Sequence, residues 1–440
     1  MSRSETEQVE GPLDPVEAAA RLAGSGLFPE YVLYEREGVW RFGGGERWGV
    51  DLDSDRVTVR AADGTSDSRA YTGSPADALA EALAGLPDPS WRAYGWVGFD
   101  FALRSRGAAP AAGGGAARLA RLIVPRTEVR ITADGARISG GEAQLRQKVR
   151  SLLLEPVASP ARPRATLDPQ ADPHGYRALV GEALAEIDRG DYHKVILSRK
   201  VDLPFPVDIP ATYAVGRRAN TPARSFLLDL DGLRSAGFSP ELVVTVGPDR
   251  EVSTNPLAGT RAAGRGTAAD TAARAELEAD PKEIHEHAIS VREAVTEMRS
   301  VCAPDSVAVS DFMSVSVRGS VQHLASTVRG RLEEGATPWH AFEALFPAIT
   351  ASGIPKPQAI EAITRLEEGR GLYSGAVVTA TSRGELDAAL VLRAVYEEQG
   401  RAWLRAGAGI VSGSRPEREF EETGEKLASV LPHLVPAARP

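Results

Sequence analysis

The order of helical and strand-like segments after residue 170 constrains the fold of this chain most. The stretch "HGYRALVGEALAEIDRG" has helical periodicity and ends at Gly190, and "HKVILSRKVDL" alternates as a strand does. Beyond them, helices and strands follow one another irregularly, with no internal repeat of fixed period. Because a series of βαβ units would alternate regularly, this order predicts an α+β fold with large, partly antiparallel sheets.

The N-terminal part of the chain has a less regular pattern. Residues 1–12 are polar and acidic, and we expect them to be disordered. Residues 30–72 predict hairpins, and residues 75–86 predict a helix. A Pro-rich stretch, 155–169, predicts a connection between an N-terminal portion and a catalytic-motif portion that begins near residue 170.

Composition and charge narrow the class of protein. The chain has 440 residues, of which 42% are hydrophobic and 25% charged, as in ordinary soluble proteins. Its formal net charge of −9 argues against nucleic acid as the main partner, although a local cluster of cations can still attract a small anion. No apolar run is long enough to span a bilayer and the N-terminus lacks a signal-peptide core, so we expect no membrane partner and a cytoplasmic protein. Cys302 is the only cysteine, which excludes an internal disulfide and a Cys-based metal site.

Five glutamates crowd into nine residues near the C-terminus, between positions 417 and 425. On a helix over residues 415–434, at about 100° per residue, they divide into two sets. One set borders an apolar stripe together with a lysine: Glu419, Glu422 and Lys426. The other set points toward water: Glu417, Glu421 and Glu425. By spacing alone, an i,i+4 ion pair between Glu422 and Lys426 is the simpler explanation of the first set, and a ligand role stays open.

A second predicted helix carries another pair of carboxylates beside its apolar face. Asp280, Pro281 and Glu283 form a capping-box arrangement, which gives Glu283 a structural task, whereas Glu286 has none. Four such carboxylates without cysteine would suit Mg²⁺ better than Zn²⁺. Spacing alone does not show that the two helices meet.

Two further ionisable residues lie on predicted strands. Lys194 in "DYHKVILSRK" lies among strong strand formers, where partial burial would lower its pKa and suit it to act as a general base. Glu241 in "GFSPELVVTV" begins another strand, where an apolar cleft would keep it protonated as a general acid. Taken alone, each segment is explained as well by a lysine that reaches water and by an exposed strand end.

Two glycine-bearing segments, "NPLAGTRAAGRG" and "LRAGAGIVSGS", predict turns. Neither is a nucleotide-binding fingerprint, because no helix opens after Gly407 and Gly409 and the spacing to Gly413 is wrong. Backbone N–H groups that glycines leave accessible can still bind a carboxylate.

Ten segments, in their order along residues 190–428, resemble the chorismate-utilising enzymes. They are "GDYHKVILSRK", "RSFLLDL", "GFSPEL", "PLAGTRAAGRG", "KEIHEHAISV", "DFMSVSVRGSVQHLAST", "ALFPAITASGIPK", "GLYSGAVV", "LRAGAGIVSGS" and "EREFEETGEKL". The family includes anthranilate synthase component I, aminodeoxychorismate synthase, isochorismate synthase and salicylate synthase, and the resemblance is closest to the salicylate synthases of siderophore pathways. It implies an α+β (mixed α/β) fold of the anthranilate synthase component I type, with two large, mostly antiparallel sheets and surrounding helices. It also implies a single chorismate-binding domain over residues 13–438.

The resemblance also implies roles for individual residues. Lys194 resembles the base that activates water, and Glu241 the acid that protonates the departing hydroxyl. Tyr373 and Arg393 resemble the residues that hold the enolpyruvyl carboxylate. The implied Mg²⁺ ligands are Glu286 and Glu422, with Glu283 and Glu419 close behind. The other implied substrate-binding residues are Gly259, Thr260, Thr350, Gly407, Gly409 and Lys426. His323 lies in a matching segment and is given no role.

Two positions distinguish among the reactions of the family. Ammonia-using relatives typically have glutamine where Lys194 stands, and aminodeoxychorismate synthases often have lysine where Ala258 stands. This combination predicts water as the nucleophile and isochorismate as the first product. One departure is Asn255, where we expect glutamate in close salicylate synthases.

Overall similarity extends the prediction to a Mg²⁺-dependent salicylate synthase. It would combine isochorismate synthase and isochorismate pyruvate-lyase activities, as a monomer without a glutaminase subunit. The alternatives are an isochorismate synthase that releases isochorismate, an ammonia-using enzyme of the anthranilate synthase type, and a non-catalytic homologue that binds chorismate or a metal.

Overall fold

The computed structural model describes residues 5–107, 118–156, 172, 175–264, 266–318 and 321–437, and within these ranges the chain forms 21 strands and 11 α-helices. The strands are β1 (Thr6–Glu10), β2 (Tyr31–Arg36), β3 (Val39–Leu52), β4 (Arg56–Ala61), β5 (Ser66–Ala70), β6 (Arg92–Val97), β7 (Ala120–Thr132), β8 (Gly135–Gly140), β9 (Lys194–Leu203), β10 (Arg224–Leu230), β11 (Leu233–Ser239), β12 (Leu242–Val246), β13 (Glu251–Thr254), β14 (Leu257–Ala262), β15 (Ala308–Arg318), β16 (Val321–Arg331), β17 (Gly353–Ile354), β18 (Ala376–Thr381), β19 (Leu386–Leu390), β20 (Ala394–Glu398) and β21 (Arg401–Val411). The helices are α1 (Pro15–Gly24), α2 (Pro75–Ala84), α3 (Asp100–Ser105), α4 (Ala143–Leu154), α5 (Tyr176–Arg189), α6 (Ile209–Ala219), α7 (Thr267–Ala279), α8 (Pro281–Arg299), α9 (Pro338–Leu345), α10 (Lys356–Leu366) and α11 (Pro416–Leu427).

The strands form two arms that meet at the long antiparallel pair β3–β7. One arm runs from β3 through β2, β10, β11, β20 and β21 to β9. The other runs from β7 through β6, β18, β19, β12 and β13 to β16. We predicted two large, mostly antiparallel sheets. The two arms correspond to them, but hydrogen bonds join the arms into one network because β3 and β7 are long enough to belong to both.

The two arms face each other across a shared apolar cluster. Side chains of β2, β10 and β20 meet those of β6, β18 and β19, with Tyr34, Phe226, Tyr94 and Val377 among them. Helices α1, α4 and α6 pack on the outer side of the first arm, and α2, α8 and α9 on that of the second, while α10 packs against β9 at the end of the first arm. This arrangement places helices on the outside and two sheet layers within, as the predicted α+β fold requires.

Residues 6–10 form strand β1, so the prediction of a disordered segment over residues 1–12 is wrong for this part. The strand pairs with β8, whose edge would otherwise present unpaired backbone groups. Val9 is buried, and Glu7 lies 3.4 Å from Arg150 of α4. The polar side chains face outward, so the composition that suggested disorder also fits a strand at the surface. The predicted Pro-rich connection lies outside the described residues from position 157 onward.

Most of the predicted elements are confirmed. Residues 30–72 form β2 to β5, residues 75–86 contain α2, and the segment that ends at Gly190 is α5, where Gly190 has φ 82°. The predicted helix over 415–434 is shorter, because α11 ends at Leu427 and a 3₁₀ turn, Leu431–His433, follows. Pro432 has no N–H to continue the helix and disfavours helical geometry at the preceding residue. No helix among the described residues is both long and apolar enough to cross a membrane.

Candidate active site

One cavity brings together most of the residues that the sequence singled out. It lies between strands β9, β14 and β21 and helices α8 and α11. Thirteen of the fourteen predicted residues line it: Lys194, Glu241, Gly259, Thr260, Glu283, Glu286, Thr350, Tyr373, Arg393, Gly407, Gly409, Glu422 and Lys426. Glu419 is buried on α11 outside this lining. The two carboxylate-bearing helices therefore meet, which spacing alone did not show.

Gly407 and Gly409 lie within strand β21, so the predicted turn is wrong for these two glycines, whereas Ser412 and Gly413 do form a turn. The strand pairs with β9 over ten residues, which satisfies its backbone groups. A Cβ at Gly409 would lie 2.8 Å from Glu286 Oε1, and a Cβ at Gly407 would lie 2.9 Å from Tyr373 Oη. Glycine is required here because the functional side chains approach the strand closely, and not because the chain turns.

Gly259 also lies in a strand and not in a predicted turn. Strand β14 pairs with β16, and the register shifts at Gly259, which has φ 80°. This left-handed conformation suits glycine and produces a bulge. Beyond the bulge, the Thr260 N–H lies 3.2 Å from Glu283 Oε2, and Thr260 Oγ1 lies 3.1 Å from His323 Nδ1. The bulge thus places Thr260 between two side chains that line the cavity.

Helix α8 begins as the sequence predicts, but Glu283 does not complete the capping box. Asp280 accepts the N–H groups of Lys282 and Glu283. The Glu283 carboxylate instead accepts from the Thr260 N–H and lies 3.1 Å from Arg261 Nη1. Strand β14 thus provides both a backbone donor and a cation for the Glu283 carboxylate, and the side chain binds there instead of at the N-terminus of its own helix.

Lys194 is buried, so the alternative of a lysine that reaches water is wrong. Its Nζ lies 2.9 Å from Glu286 Oε1 and 3.2 Å from Ser290 Oγ. Both partners lie on one face of α8 at i,i+4 spacing. Helix α8 and strand β9 therefore hold the lysine amine between them, at the wall of the cavity.

Glu241 has the properties of an acid that keeps its proton at neutral pH. Burial raises its pKa to about 8, although the Thr350 hydroxyl and the Leu257 N–H both donate to Oε1. No cation forms an ion pair with this carboxylate within the described residues, and the two hydrogen bonds together with the more distant charges of Lys194 and Lys426 offset only part of the cost of burying its charge. The alternative of an exposed strand end is therefore wrong. The protonated carboxyl faces the cavity and can donate its proton there.

Each of the four glutamates predicted to bind a metal has a cationic partner. The pairs are Glu286 with Lys194 at 2.9 Å, Glu422 with Lys426 at 2.8 Å, Glu419 with Lys282 at 3.3 Å, and Glu283 with Arg261 at 3.1 Å. In this arrangement, no group of three His, Cys, Asp or Glu side chains in the described residues is placed to hold a metal ion. A cation could be bound only if some of these carboxylates exchanged their partners.

The chemistry of this donor set nevertheless fits Mg²⁺. Burial, followed by the charge of Glu286, raises the pKa of Glu283, and burial, followed by Glu422, raises that of Glu419. Burial also opposes ionisation of Glu422, but the charges of Lys426, Lys282 and Arg418 together lower the pKa. Glu419 Oε2 is buried with no hydrogen-bond partner among the described residues. Crowded carboxylate oxygens of this kind are ligands that a hard cation prefers.

The opposite wall of the cavity offers donors to an anion. Arg393, at φ 52°, donates to the Arg318 carbonyl at 3.0 Å and to His323 Nε2 at 2.8 Å, and burial lowers its pKa to about 10. Burial and then Arg393 hold the pKa of His323 well below its usual range, so the ring is neutral. Within the described residues, no carboxylate pairs with Arg393 and the Tyr373 hydroxyl makes no hydrogen bond. A guanidinium and a hydroxyl without anionic partners are suited to bind a carboxylate.

Sequence reasoning missed Arg405 and gave His323 no role, although both line the cavity. Arg405 lies two residues before Gly407 and four before Gly409, so it shares their face of β21, and this alternation could have identified it. His323 pairs with Thr260 between β14 and β16, a contact across 63 residues that no local pattern signals.

Asn255, where we expected glutamate, does not line the cavity. Its side-chain amide donates to Thr327 Oγ1 at 2.8 Å, between β13 and β14. The side chain at this position therefore contributes no contact to the lining of the cavity.

Comparison with known proteins identifies the family and agrees with the fold. Residues 31–432 match the family described as chorismate binding enzyme. The chain is 48% identical over 427 residues, which is 96% of its length and 94% of the relative's, to a salicylate synthase of Mycolicibacterium paratuberculosis. Among solved structures, it is similar in fold to anthranilate synthase component I from Streptococcus pneumoniae, with a TM-score of 0.73 and 23% identity over 89% of this chain and 92% of that chain. It is also similar to the menaquinone-specific isochorismate synthase of Escherichia coli, with a TM-score of 0.71 and 23% identity over 98% of this chain and 95% of that chain. These matches confirm the predicted fold, and the chain belongs to the family of chorismate-binding enzymes.

Proposed function

We propose that the protein is a Mg²⁺-dependent salicylate synthase that converts chorismate to isochorismate and then to salicylate and pyruvate. The observation that carries the proposal is a single cavity in which Lys194 and the protonated Glu241 face the same space as the unpaired Arg393. The 48% identity to a salicylate synthase over almost the whole chain supports this choice within the family.

In the first step, Lys194 accepts a proton from the water that attacks C2 of chorismate. Glu241 gives its proton to the C4 hydroxyl, which leaves as water while the ring double bonds shift. One water enters and one leaves, so the product is the isomer isochorismate. Its ion pair with Glu286 holds the amine at the wall of the cavity, where the water would lie.

Opposite walls of the cavity would bind the two carboxylates of the substrate. Tyr373 and Arg393 would bind the enolpyruvyl carboxylate, and Glu283, Glu286, Glu419 and Glu422 would hold Mg²⁺. When bound, Mg²⁺ would supply the positive charge that the ring carboxylate needs in a protein of net charge −9. The remaining residues would shape the pocket around the ring: Gly259, Thr260, Thr350, Gly407, Gly409 and Lys426.

In the second step, a ring hydrogen moves to the enolpyruvyl methylene while the ether bond breaks, which releases pyruvate and leaves an aromatic ring. This rearrangement depends on holding the enolpyruvyl arm over the ring more than on a further acid or base. Tyr373 and Arg393 would therefore contribute to both steps. Because water is the nucleophile, we also propose that the protein works without a glutaminase subunit, as a cytoplasmic monomer.

Product identity tests the proposal. Purified protein is incubated with chorismate and Mg²⁺, with and without ammonium, and the products are separated by chromatography. We expect salicylate and pyruvate in equal amounts, and loss of both after removal of Mg²⁺ with a chelator. Isochorismate without salicylate would indicate an isochorismate synthase, and anthranilate in the presence of ammonium would overturn the assignment of water. Chorismate binding without turnover would indicate a non-catalytic homologue.

A further inference from the structure

A buried charge cluster lies beneath the wall that carries Tyr373, and the proposed function assigns it no role. We refer to Glu367, Arg370, Arg405 and Ser198 as the Glu367 cluster. Its three charged side chains are at most 5% exposed. Burying three charges is costly unless every one is paired and hydrogen-bonded, so the arrangement calls for a reason.

Glu367 is the centre of the cluster. Its Oε1 accepts from Arg370 Nη2 at 2.9 Å and from the Ser198 N–H. Its Oε2 accepts from Arg405 Nη2 at 2.9 Å and from Ser198 Oγ at 2.7 Å. Arg405 Nε also donates to Ser198 Oγ at 2.8 Å, and its Nη1 donates to the Gly369 carbonyl at 2.9 Å. These contacts leave the Arg405 side chain little freedom.

The Glu367 cluster carries surplus positive charge, because two guanidinium groups share one carboxylate. Within the described residues, no other acidic side chain pairs with Arg370 or Arg405. The guanidinium carbons of Arg370 and Arg405 lie 5.7 and 5.6 Å from the centre of the Tyr373 ring. Cations at this distance from the ring interact with it favourably and favour an anion at its hydroxyl.

The Glu367 cluster also holds the turn that carries Tyr373. Arg370 donates to the Ile196 carbonyl at 2.6 Å and to the Ala351 carbonyl at 2.8 Å, which ties β9 to the turn before Tyr373. On the other side, the absence of a side chain at Gly407 leaves just enough space for the hydroxyl. The close approach of β21 at Gly407 therefore restricts the position of the Tyr373 hydroxyl at the edge of the cavity.

We propose that Arg405 is a positioning residue that acts through Tyr373, sets how firmly the enolpyruvyl carboxylate is held, and so determines how much isochorismate becomes salicylate before it escapes. The inference rests on the proposed function, since it concerns the second step of that reaction. Lys194 and Glu241 make no contact with Arg405, so a weaker hold on the arm affects substrate binding and product partition more than acid–base chemistry.

The variant Arg405→Lys tests this role. Lysine keeps the charge, but its single ammonium cannot reach Glu367, Ser198 and the Gly369 carbonyl together. We expect the KM for chorismate to rise about tenfold, the effect of weakening one hydrogen bond to a charged group. We expect kcat to fall by less than KM rises, and a larger fraction of product to be released as isochorismate.

A matched control is Arg224→Lys. Arg224 is also buried in a two-pronged ion pair, with Asp387 at 2.9 and 2.8 Å, and it does not line the cavity. It should lose stability to a similar extent and keep the wild-type KM and product ratio. Should Arg405→Lys not fold, Ser198→Ala removes only the bridging hydroxyl, and the same changes are expected at smaller size.

The inference would be overturned if Arg405→Lys kept the KM and the product ratio of the wild type. It would also be overturned if Ser198→Ala kept them, in the case that only this variant folds. Changes of KM and product ratio in Arg224→Lys as large as those in Arg405→Lys would overturn it as well. A wild-type protein that forms no salicylate would contradict the proposed function instead. In that case an unchanged KM in Arg405→Lys would still contradict the positioning role.

Discussion

Lys194 and Glu241 show how one cavity gives two ionisable residues different tasks. The lysine amine is buried between the Glu286 carboxylate and the Ser290 hydroxyl, whereas the Glu241 carboxyl accepts from the Leu257 N–H and the Thr350 hydroxyl. Burial raises the pKa of Glu241 to about 8, so this carboxyl keeps its proton at neutral pH. Such a contrast between neighbouring titratable groups is typical of an acid–base pair.

We expect the rate of chorismate consumption to fall as the pH rises through about 8, because Glu241 must be protonated to give its proton to the leaving hydroxyl. Below its raised pKa the carboxyl is mostly protonated, and above it the proton is lost, so the decline lies on the alkaline side. Initial rates at saturating chorismate, from about pH 6 to about pH 9.5, measure this limb. Circular dichroism over the same range controls for unfolding.

Glu241→Gln is the matching variant. It should lower the rate by about 10² to 10⁴ and remove the alkaline limb attributed to Glu241. A rate that keeps rising through pH 9 in the wild type, or a limb that persists in the variant, would mean that another group is the acid.

Helix α11 presents carboxylates on two sides with different environments. Glu422 faces the cavity, whereas Glu421 is exposed and lies 3.3 Å from the half-exposed Arg418. If the cavity side binds Mg²⁺, Glu422→Gln should raise the Mg²⁺ concentration for half-maximal rate by about tenfold or more. Glu421→Gln should leave it unchanged, because an exposed ion pair contributes little.

Titration of initial rate against Mg²⁺ compares the two variants. Both replace a glutamate on the same helix by its isosteric amide, so a general effect on α11 would appear in both. Equal Mg²⁺ dependence in the two variants would show that the metal is not bound from this side of the helix.

At the scale of elements, sequence periodicity predicted which side chains are buried when an element buries only one of its faces. The angles of α11 correctly separated Glu419 and Glu422 from the exposed Glu417 and Glu421, since an amphipathic helix must bury one stripe. The end of the helix was missed because the apolar pattern continues past Leu427, although Pro432 ends the helix. The glycine turns were wrong because a glycine in sequence does not reveal whether it serves a bend or the close approach of a side chain.

The candidate site could be predicted only as far as its motifs extend. Lys194, Glu241 and the four glutamates each lie in a segment that resembles the family, and the cavity brings them together with the exception of Glu419. The Glu367 cluster could not be predicted in this way, because its contacts join residues 38 and 169 positions apart. Contacts of this separation depend on strand order, which no local pattern determines.

For the molecule as a whole, the N-terminal third contributes structure where it contributes no motif. Its strands β3 and β7 join the two arms, and β2 and β6 extend into each of them. The arms are also joined through side chains: Asp387 of β19 accepts from Tyr34 of β2 and from Arg224 of β10. This buried contact joins β2 and β10 of one arm to β19 of the other, so we expect it to hold the two arms together.

Asp387→Ala should therefore lower the free energy of unfolding by about 3–5 kcal/mol, because it leaves the buried Arg224 and Tyr34 without their acceptor. Urea unfolding followed by circular dichroism and tryptophan fluorescence measures this change. Asp202→Ala is the control, since Asp202 is exposed on β9 and, within the described part of the chain, forms an ion pair only with Lys200, at 2.9 Å. It should change stability by less than about 0.5 kcal/mol. If the two variants lost equal stability, the buried contact would not join the arms. If Asp387→Ala instead unfolded in two steps, the arms would be separate cooperative units that this contact couples.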